Sequence, residues 1–281
     1  MLQHVTATRY IAPLREGGSL PGLMEADDLG TYVVKFRGAG QGTRALVAEV
    51  VAAGLARALG LPVPELVTVQ LDSGFAAGEP DEEIQHLLRE SVGVNLGIDF
   101  LPGSLDYDPS AFPLDATVTG RIVWFDALIG NVDRSYRNPN LLWWNGIRLI
   151  DHGATLTFAH RWESAEEADA KAYPLTDHVL VRSAPDVRSA DAELAQLLTH
   201  DVIDCVVADI PTPWITDEPG FASVDAVRAA YGARIRGRLA ARDAWMPGLI
   251  ASAALAGSDR TPPRRNRPDW VPDLTREASD G

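Results

Sequence analysis

Cysteine is almost absent from this 281-residue chain, which contains Cys205 as its single thiol. One cysteine cannot form an intramolecular disulfide, so the composition is typical of a protein that folds in a reducing compartment. Cys205 lies within the apolar run DVIDCVVADI, and free cysteine usually behaves as a small hydrophobic side chain. We therefore expect Cys205 to be a buried structural thiol.

Long apolar runs and an excess of positive charge are also missing. No run approaches the roughly 18 apolar residues that span a bilayer, and the chain does not open on a basic segment followed by an apolar one. Acidic residues outnumber basic ones by 39 to 25, which gives a formal net charge of −14. Because duplex binding needs a concentrated excess of Lys and Arg, direct nucleic-acid binding is not expected. The sequence indicates a cytoplasmic protein without a membrane partner.

Lysine is scarce as well, since it occurs only at positions 35 and 171 and every other basic residue is an arginine. Lys35 stands inside the apolar stretch TYVVKF. An ammonium group is more compact than a guanidinium group and has a different donor geometry. A lysine in this place therefore indicates a specific need for a small cation.

The first hundred residues have the pattern of a β-rich unit with one helix. Residues 9–36 alternate apolar runs with turn residues, which predicts two or three antiparallel strands. Residues 41–60 predict a helix with Thr43 as a candidate N-cap, and its almost continuous Leu, Val and Ala indicate burial on both sides. Further strands are predicted within 61–72 and 91–103, separated by a polar excursion.

The remainder of the chain predicts helices, beginning at 117–130 and ending with helices over 191–209 and 223–241. A β-rich part followed by a helical part predicts an α+β fold with two lobes. We expect an N-lobe over residues 1–103, a mostly helical C-lobe over 104–254, and a flexible tail over 255–281 because that segment is rich in Pro and charge.

Residues 141–150, LLWW-NG-IRLI, carry a strong hairpin signal, because Asn-Gly favours a two-residue type I′ turn. Such a turn places Trp144 opposite Ile147, and the same register places Asn140 opposite Asp151. Asp151 would then lie near the loop that precedes the hairpin.

That loop contributes Asp133 and Asn138, whose side chains we expect to converge with Asp151. Carboxylate and carboxamide oxygens are hard ligands suited to Mg²⁺. The alternative is ordinary turn and capping chemistry, which is our interpretation of Asp126, Asn131 and Asn145. The role of Asn140 stays open.

Two other features would serve a nucleotide. The glycine-rich stretch at 15–22, REGGSLPG, can bring backbone close to phosphates, although an ordinary hairpin turn is the alternative. Lys35 is followed by Glu49 on the predicted helix, and a buried ammonium is costly unless it is paired. The alternative is a Lys35 that extends to solvent and a solvated Glu49, which the Ala-rich surroundings of Glu49 disfavour.

In this order, a glycine loop, strand lysine, helix glutamate, catalytic Asp and Asn, hairpin and second Asp resemble a protein-kinase-like fold. GNVDRSYRN followed by IDHG resembles the HipA-like kinases more closely, and the phosphatidylinositol kinases more distantly. VVKFRGAGQGTRALVAEVVAAGLARALGLPVPE also resembles their lysine strand and helix, with Ala48 in place of an Asn.

The resemblance implies an ATP- and Mg²⁺-dependent kinase acting on a hydroxyl group of a protein, at Ser or Thr, or of a small molecule. Asp133 would orient or deprotonate the acceptor hydroxyl, and Asn138 and Asp151 would hold Mg²⁺. The residues expected at the nucleotide are Gly17, Gly18 and Ser19 in the loop, Lys35 and Glu49 at the phosphates, and Ile98 and Phe100 in a hinge over 94–100.

Three alternatives remain at the level of sequence. The chain could be a catalytically silent nucleotide-binding or scaffold protein that keeps the fold. It could be a lipid or metabolite kinase, although the acidic surface disfavours attraction to anionic lipid. It could also be a metal-dependent hydrolase that uses Asp133, Asp151 and His152, which would leave Lys35 and Glu49 without a role.

Overall fold

A computed structural model describes residues 2–14 and 20–256 of the chain. The predicted loop residues Gly17, Gly18 and Ser19, and the predicted tail from 257 onward, lie outside the described residues. The fold is of the α+β class, as predicted.

Five strands form a closed barrel in the order β1-β2-β3-β5-β4. β1 pairs in parallel with β4, and the other neighbours are antiparallel. The bounds are β1 Gln3–Pro13, β2 Gly22–Ala26, β3 Thr31–Lys35, β4 Leu66–Leu71 and β5 Gly93–Asp99. The prediction of antiparallel strands within 9–36 is thereby confirmed.

The alternating direction of the side chains along β3 determines on which face of the barrel Lys35 lies. Tyr32 and Val34 are buried within the barrel core, whereas Val33 and Lys35 have the opposite parity. Because successive side chains of a strand point to opposite faces, Lys35 leaves the barrel interior and faces the rest of the molecule.

The helix after β3, α1 (Gly42–Ala58), is buried along its whole middle section, as its composition predicts. It begins after Gln41 with no side-chain cap, so Thr43 is not the N-cap. The helix ends before Gly60, whose φ of +68° suits a residue without a side chain. The buried residues of α1 belong to the same apolar cluster as those of the helices after residue 115, and those of the barrel interior form a separate cluster.

Six further helices follow in the described residues. Their bounds are α2 Glu82–Glu90, α3 Ala116–Ile129, α4 Val187–Leu194, α5 His200–Ala208, α6 Val224–Ala240 and α7 Arg242–Ala256. Short 3₁₀ helices cover Ser73–Gly78, Thr157–His160, Trp162–Ala168, Val181–Ser183 and Thr212–Trp214.

Three predictions about these helices are wrong. The polar segment at 78–90 contains α2, since Asp81 caps it and Ile84 and Leu88, one turn apart, supply a buried stripe. The helix predicted over 191–209 is two helices, because Thr199 caps the start of α5. The sequence predicts the last helix over 223–241, whereas α7 follows it over Arg242–Ala256.

Cys205 is exposed, so the prediction of a buried thiol is also wrong. Ile203, Val206 and Val207 form the buried stripe of α5. Position 205 lies away from that stripe because consecutive helical residues are about 100° apart. Separately, no helix within residues 2–14 and 20–256 is long and apolar enough to cross a membrane.

A second, three-stranded sheet supports the segment with the predicted site. It consists of β6 (Leu105–Asp106), β7 (Leu141–Trp143) and β8 (Ile147–Leu149) in that order. The backbone N–H of Leu149 donates to the carbonyl of Pro62 at 2.8 Å. The sheet is therefore tied directly to the chain that leads from α1 into the barrel.

Candidate active site

Lys35, Glu49 and Asp151 form one group of charges, called here the outer cluster. Lys35 Nζ donates to Glu49 Oε1 and, at 2.5 Å, to Asp151 Oδ1. The side chain of Glu49 is 3% exposed, whereas that of Asp151 is 44% exposed. The structure thus brings together three predicted residues that are separated by as many as 116 positions.

The outer cluster keeps both partners charged. Burial lowers the pKa of Lys35, but the carboxylates of Glu49 and Asp151 outweigh that effect, so the pKa lies well above its ordinary value. Burial raises the pKa of Glu49, yet Lys35 and His152 hold it well below its usual range. An ammonium and a carboxylate are therefore both present at neutral pH.

Asp151 has a left-handed backbone conformation, with a φ of +56°. Residues other than glycine adopt this region at a cost, although Asp tolerates it better than most. Such conformations concentrate at functional sites, where the surrounding structure maintains them. Here the backbone is held on one side by β8 and on the other by Gly153, whose N–H donates to Glu49 Oε1 at 2.9 Å.

The loop between α3 and β7 holds Asp133 through two amides. Asn138 Nδ2 and Asn140 Nδ2 each donate to Asp133 Oδ2 at 3.2 Å. The backbone N–H of Asp133 donates to Asn131 Oδ1 at 3.1 Å. The five-residue spacing between Asp133 and Asn138 therefore corresponds to a direct contact between the two side chains.

The observed hairpin register differs from the predicted one by one residue. Trp143 pairs with Ile147 and Leu141 with Leu149. Asn140 opposes Ile150, whose N–H donates to the Asn140 carbonyl at 3.1 Å. The predicted pairings of Trp144 with Ile147 and of Asn140 with Asp151 are wrong.

The reason is that the turn has three residues. Trp144 leaves the strand, its N–H donates to the carbonyl of Gly146, and its indole Nε1 donates to the carbonyl of Pro102 at 3.1 Å. Asn145 and Gly146 both have positive φ, at +50° and +107°. Asn145 is therefore a turn residue, as interpreted from the sequence.

Beneath Asp133 lies a second group of charges, called here the inner cluster: Asp126, Arg134 and His178. Arg134 Nε donates to Asp126 Oδ2 at 2.6 Å, and His178 Nε2 lies 2.9 Å from the same oxygen. Asn131 Nδ2 donates to Asp126 Oδ1 at 2.9 Å. The side chains of Asp126, Arg134 and His178 are at most 1% exposed.

The sequence interpretation gave Asp126 and Asn131 a structural role but did not identify Arg134 or His178. The sequence contains one signal of a buried charge. Apart from the first residue, Arg121, Asp126 is the only charged residue of the apolar segment RIVWFDALIG. Burial raises the pKa of Asp126, but Arg134 and His178 outweigh burial and hold that pKa well below its usual range. A buried carboxylate of this kind requires partners.

A cavity of about 670 Å³ opens next to the outer cluster, within the size range of small-molecule sites. Lys35 and Asp151 line it, and Val33, Leu142 and Ile150 contribute apolar walls. The predicted hinge residues Ile98 and Phe100 also line it, together with Asp99 and Leu101. One cavity thus contains both apolar surface suited to a flat base and the paired charges of Lys35 and Asp151.

The donor set fits Mg²⁺ held partly by phosphate. The side-chain nitrogen of Asn138 donates to Asp133, so the side-chain oxygen of Asn138 is the atom left to act as a ligand. The Asp151 carboxylate is half exposed and can act as a second ligand. Mg²⁺ commonly takes one or two protein ligands and completes its shell with water and phosphate oxygens. Within the described part of the chain no group of three or more His, Cys, Asp or Glu side chains is arranged to hold a metal.

A solved kinase structure with a TM-score above 0.5 supports the fold. The crystal structure of a Helicobacter pylori proinflammatory kinase, CtkA, matches over 91% of this chain and 99% of that chain, at 13% identity and a TM-score of 0.52. A structure of the Golgi casein kinase with Mn/ADP bound matches over 92% and 74%, at 12% identity and a TM-score of 0.43. A search of curated proteins found no match.

A family model described as HipA-like kinase matches residues 8–239. The match runs from β1 into the last turn of α6 and therefore includes every residue of the outer and inner clusters. It also agrees with the resemblance drawn from the strand lysine, the Asp and Asn of the loop, and IDHG. This chain belongs to the HipA-like kinase family.

Proposed function

We propose that this kinase is an ATP- and Mg²⁺-dependent phosphotransferase that transfers the γ-phosphate to a hydroxyl group of a protein, at Ser or Thr, or of a small molecule. One observation carries the proposal: Lys35 is bonded to Glu49 and to Asp151, and both Lys35 and Asp151 line a cavity whose lining is otherwise mostly apolar. A cation held in this way is poised to meet a polyphosphate. Membership of a kinase family supports the same conclusion.

Each residue would have a distinct role. Lys35 would bind the α and β phosphates while Glu49 holds its ammonium group in place. Asn138 and Asp151 would hold Mg²⁺, which when bound neutralises charge on the phosphates. Asp133, oriented by two amides, would orient the acceptor hydroxyl and take its proton.

The two parts of the chain would act as the lobes of a kinase, divided near residues 103 and 104, with the cavity between them. Ile98 and Phe100 would lie against the adenine. The N–H groups of Asp99 and Phe100 already donate to the carbonyls of Glu65 and Thr31. Recognition of the base by backbone would therefore use other groups of the hinge over 94–100.

The hydrolase alternative loses support from the position of His152. Its Nε2 lies 3.1 Å from Arg134 Nη2 and its Nδ1 lies 3.7 Å from Glu49 Oε2, and the ring is 1% exposed. Both ring nitrogens face protein groups, so neither is directed at a metal beside Asp151. The nucleotide site gives Lys35 and Glu49 a role that the hydrolase does not.

The test is binding of Mg·ATP by calorimetry to wild type, Lys35→Ala and Asp151→Asn. We expect both variants to lose affinity by at least tenfold, because Lys35→Ala removes the cation that would bind the phosphates and Asp151→Asn removes a carboxylate that would hold Mg²⁺. Lys171→Ala is the matched control, since Lys171 is the other lysine, and Asp106→Asn replaces an exposed aspartate on β6. Unchanged binding in both test variants would reject this site.

Transfer needs a separate measurement, because a catalytically silent protein could still bind ATP. Purified wild type is incubated with γ-labelled ATP and Mg²⁺, alone and with a lysate or a panel of hydroxyl-bearing metabolites. We expect label on a protein or a metabolite with wild type and its loss with Asp133→Asn. Binding without transfer to any acceptor would favour the silent nucleotide-binding alternative.

A further inference from the structure

His152 connects the two charge clusters, although it belongs to neither. It follows Asp151 directly and its ring is 1% exposed. Nε2 lies 3.1 Å from Arg134 Nη2 in the inner cluster, and Nδ1 lies 3.7 Å from Glu49 Oε2 in the outer cluster. The edge of the Phe125 ring packs against the imidazole at 6.0 Å between centroids.

These neighbours determine where the proton of His152 lies. A guanidinium group can only donate, so the nitrogen that faces Arg134 must accept. Nε2 therefore carries the lone pair, and in the neutral ring the proton is on Nδ1, which faces the Glu49 carboxylate. The imidazole thus presents an acceptor to one cluster and a donor to the other.

The two carboxylate oxygens of Glu49 contact different groups. Oε1 receives Lys35 Nζ and the N–H of Gly153, whereas Oε2 faces His152. Because rotation of the carboxylate would carry Oε1 away from Lys35, a donor at Oε2 restricts the orientation that Lys35 depends on.

Arg134 provides the other end of the connection. It follows Asp133 in the chain, donates to the backbone carbonyl of Asn140, and is fixed by Asp126. Asn140 in turn donates to Asp133. Hydrogen-bond contacts therefore lead from the Asp133 carboxylate through Asn140 and Arg134 to His152. The 3.7 Å approach of His152 Nδ1 to Glu49 Oε2 then links this series to the Glu49 and Lys35 pair.

We infer that His152 is a positioning residue, with Nε2 accepting from Arg134 and Nδ1–H directed at Glu49, that couples the orientation of the Glu49 and Lys35 pair to the loop that holds Asp133. The inference rests on the proposed function for its effect on nucleotide, but the tautomer follows from the contacts alone. A purely structural His152 would affect stability without a specific effect on the Lys35 end of the cavity.

The first test is independent of ligand. In ¹⁵N-labelled protein, long-range ¹H–¹⁵N spectra distinguish Nδ1–H, Nε2–H and doubly protonated rings, and the signal of residue 152 is assigned by its loss in His152→Gln. We expect the Nδ1–H pattern at neutral pH. An Nε2–H or doubly protonated ring would overturn the inference, whatever the protein binds.

The second test uses Mg·ADP binding, with His152→Phe and His152→Gln. Phe fills the volume but removes both polar groups, whereas the Gln amide restores one donor and one acceptor. We expect Phe to weaken binding about tenfold, the effect of losing a hydrogen-bonding partner of a charged group, and Gln to recover most of it. Thr119→Val, which removes a buried hydroxyl bonded only to helix carbonyls, should leave affinity unchanged.

The decisive measurement is a double-mutant cycle between His152 and Glu49, read out as the Kd for Mg·ADP. In a Glu49→Gln background, His152→Phe should have little further effect on Kd, because its route to Lys35 is already broken. Full additivity in folded variants would show that His152 affects binding by a route that does not involve Glu49 and would overturn the inference. If wild type itself does not bind Mg·ADP, the proposed function fails, while the tautomer test still decides the structural part.

Discussion

The outer and inner clusters are both built from a carboxylate and a basic side chain, yet they differ in what their oxygens face. In the inner cluster Asp126 is fully buried and both of its oxygens are engaged by Arg134, Asn131 and His178. In the outer cluster Asp151 is 44% exposed and borders the cavity. The inner cluster is closed and can only hold position, whereas the outer one can exchange a partner for a ligand.

The largest effect is expected from Asp126→Ala. Removing one partner of a buried pair leaves Arg134 charged and unpaired, which typically costs about 3–5 kcal/mol of the free energy of unfolding. Chemical denaturation followed by circular dichroism measures the loss. Asp133→Ala is the control, since Asp133 is only partly buried; equal destabilisation by the two variants would remove the distinction between a closed cluster and a functional loop.

Next in size is the effect of Asp133→Asn on transfer. Loss of a general base typically lowers the rate by about 10²- to 10⁴-fold. Asn keeps the shape of the side chain, so the affinity for Mg·ATP and the unfolding midpoint should change little. Single-turnover transfer and calorimetry on the same preparation separate the two effects. A proportional loss of binding would indicate that Asp133 holds the nucleotide and does not activate the acceptor.

The two clusters also differ in how far the sequence alone could predict them. Lys35, Glu49, Asp133, Asn138 and Asp151 carry recognisable order and spacing, and the structure brings Lys35 to Glu49 and Asp151, and Asn138 to Asp133. The inner cluster could not be deduced in the same way. His178 lies 52 positions from Asp126 in a segment of turns, and no periodic pattern predicts that contact.

Each wrong prediction about a short segment has a cause in the local structure. Trp144 looked like a strand residue, but the hydrogen bond of its indole to the carbonyl of Pro102 draws it into the turn and shifts the register. The segment with α2 looked polar because only two of its side chains, Ile84 and Leu88, are buried. The prediction of a buried Cys205 is wrong because a helix formed by an apolar run still has one face exposed to solvent. The division of the chain at residues 103 and 104 stays a prediction.

A smaller loss of stability is expected when the pH is lowered. The pKa of Asp126 in the fold lies below its ordinary value of 3.8 because Arg134 and His178 outweigh burial. A carboxylate with a lowered pKa contributes stability that is present above about pH 4 and is lost as pH falls through the folded value.

The contribution of Asp126 to the free energy of unfolding should therefore be steady between pH 7 and 5 and fall below pH 4. Asp126→Asn cannot titrate, so its curve should fall less steeply, and the slopes of the two curves should differ by at most about 1.4 kcal/mol per pH unit. Urea titrations at several pH values measure both curves. Parallel curves would mean that the Asp126 carboxyl has the same pKa in the folded and unfolded chains.

The smallest change in stability is expected from Asp151→Asn in the nucleotide-free protein. Lys35 keeps Glu49 as its partner, and a half-exposed ion pair typically contributes less than about 1 kcal/mol. The response to ligand should nevertheless disappear: at 100 times Kd, Mg·ADP should stabilise wild type and the Asp106→Asn control by about 2.7 kcal/mol, and the variant hardly at all. Thermal unfolding with and without Mg·ADP measures both quantities. If Asp151→Asn destabilised the free protein as strongly as Asp126→Ala does, Asp151 would belong to the closed cluster and could not serve as an exchangeable ligand.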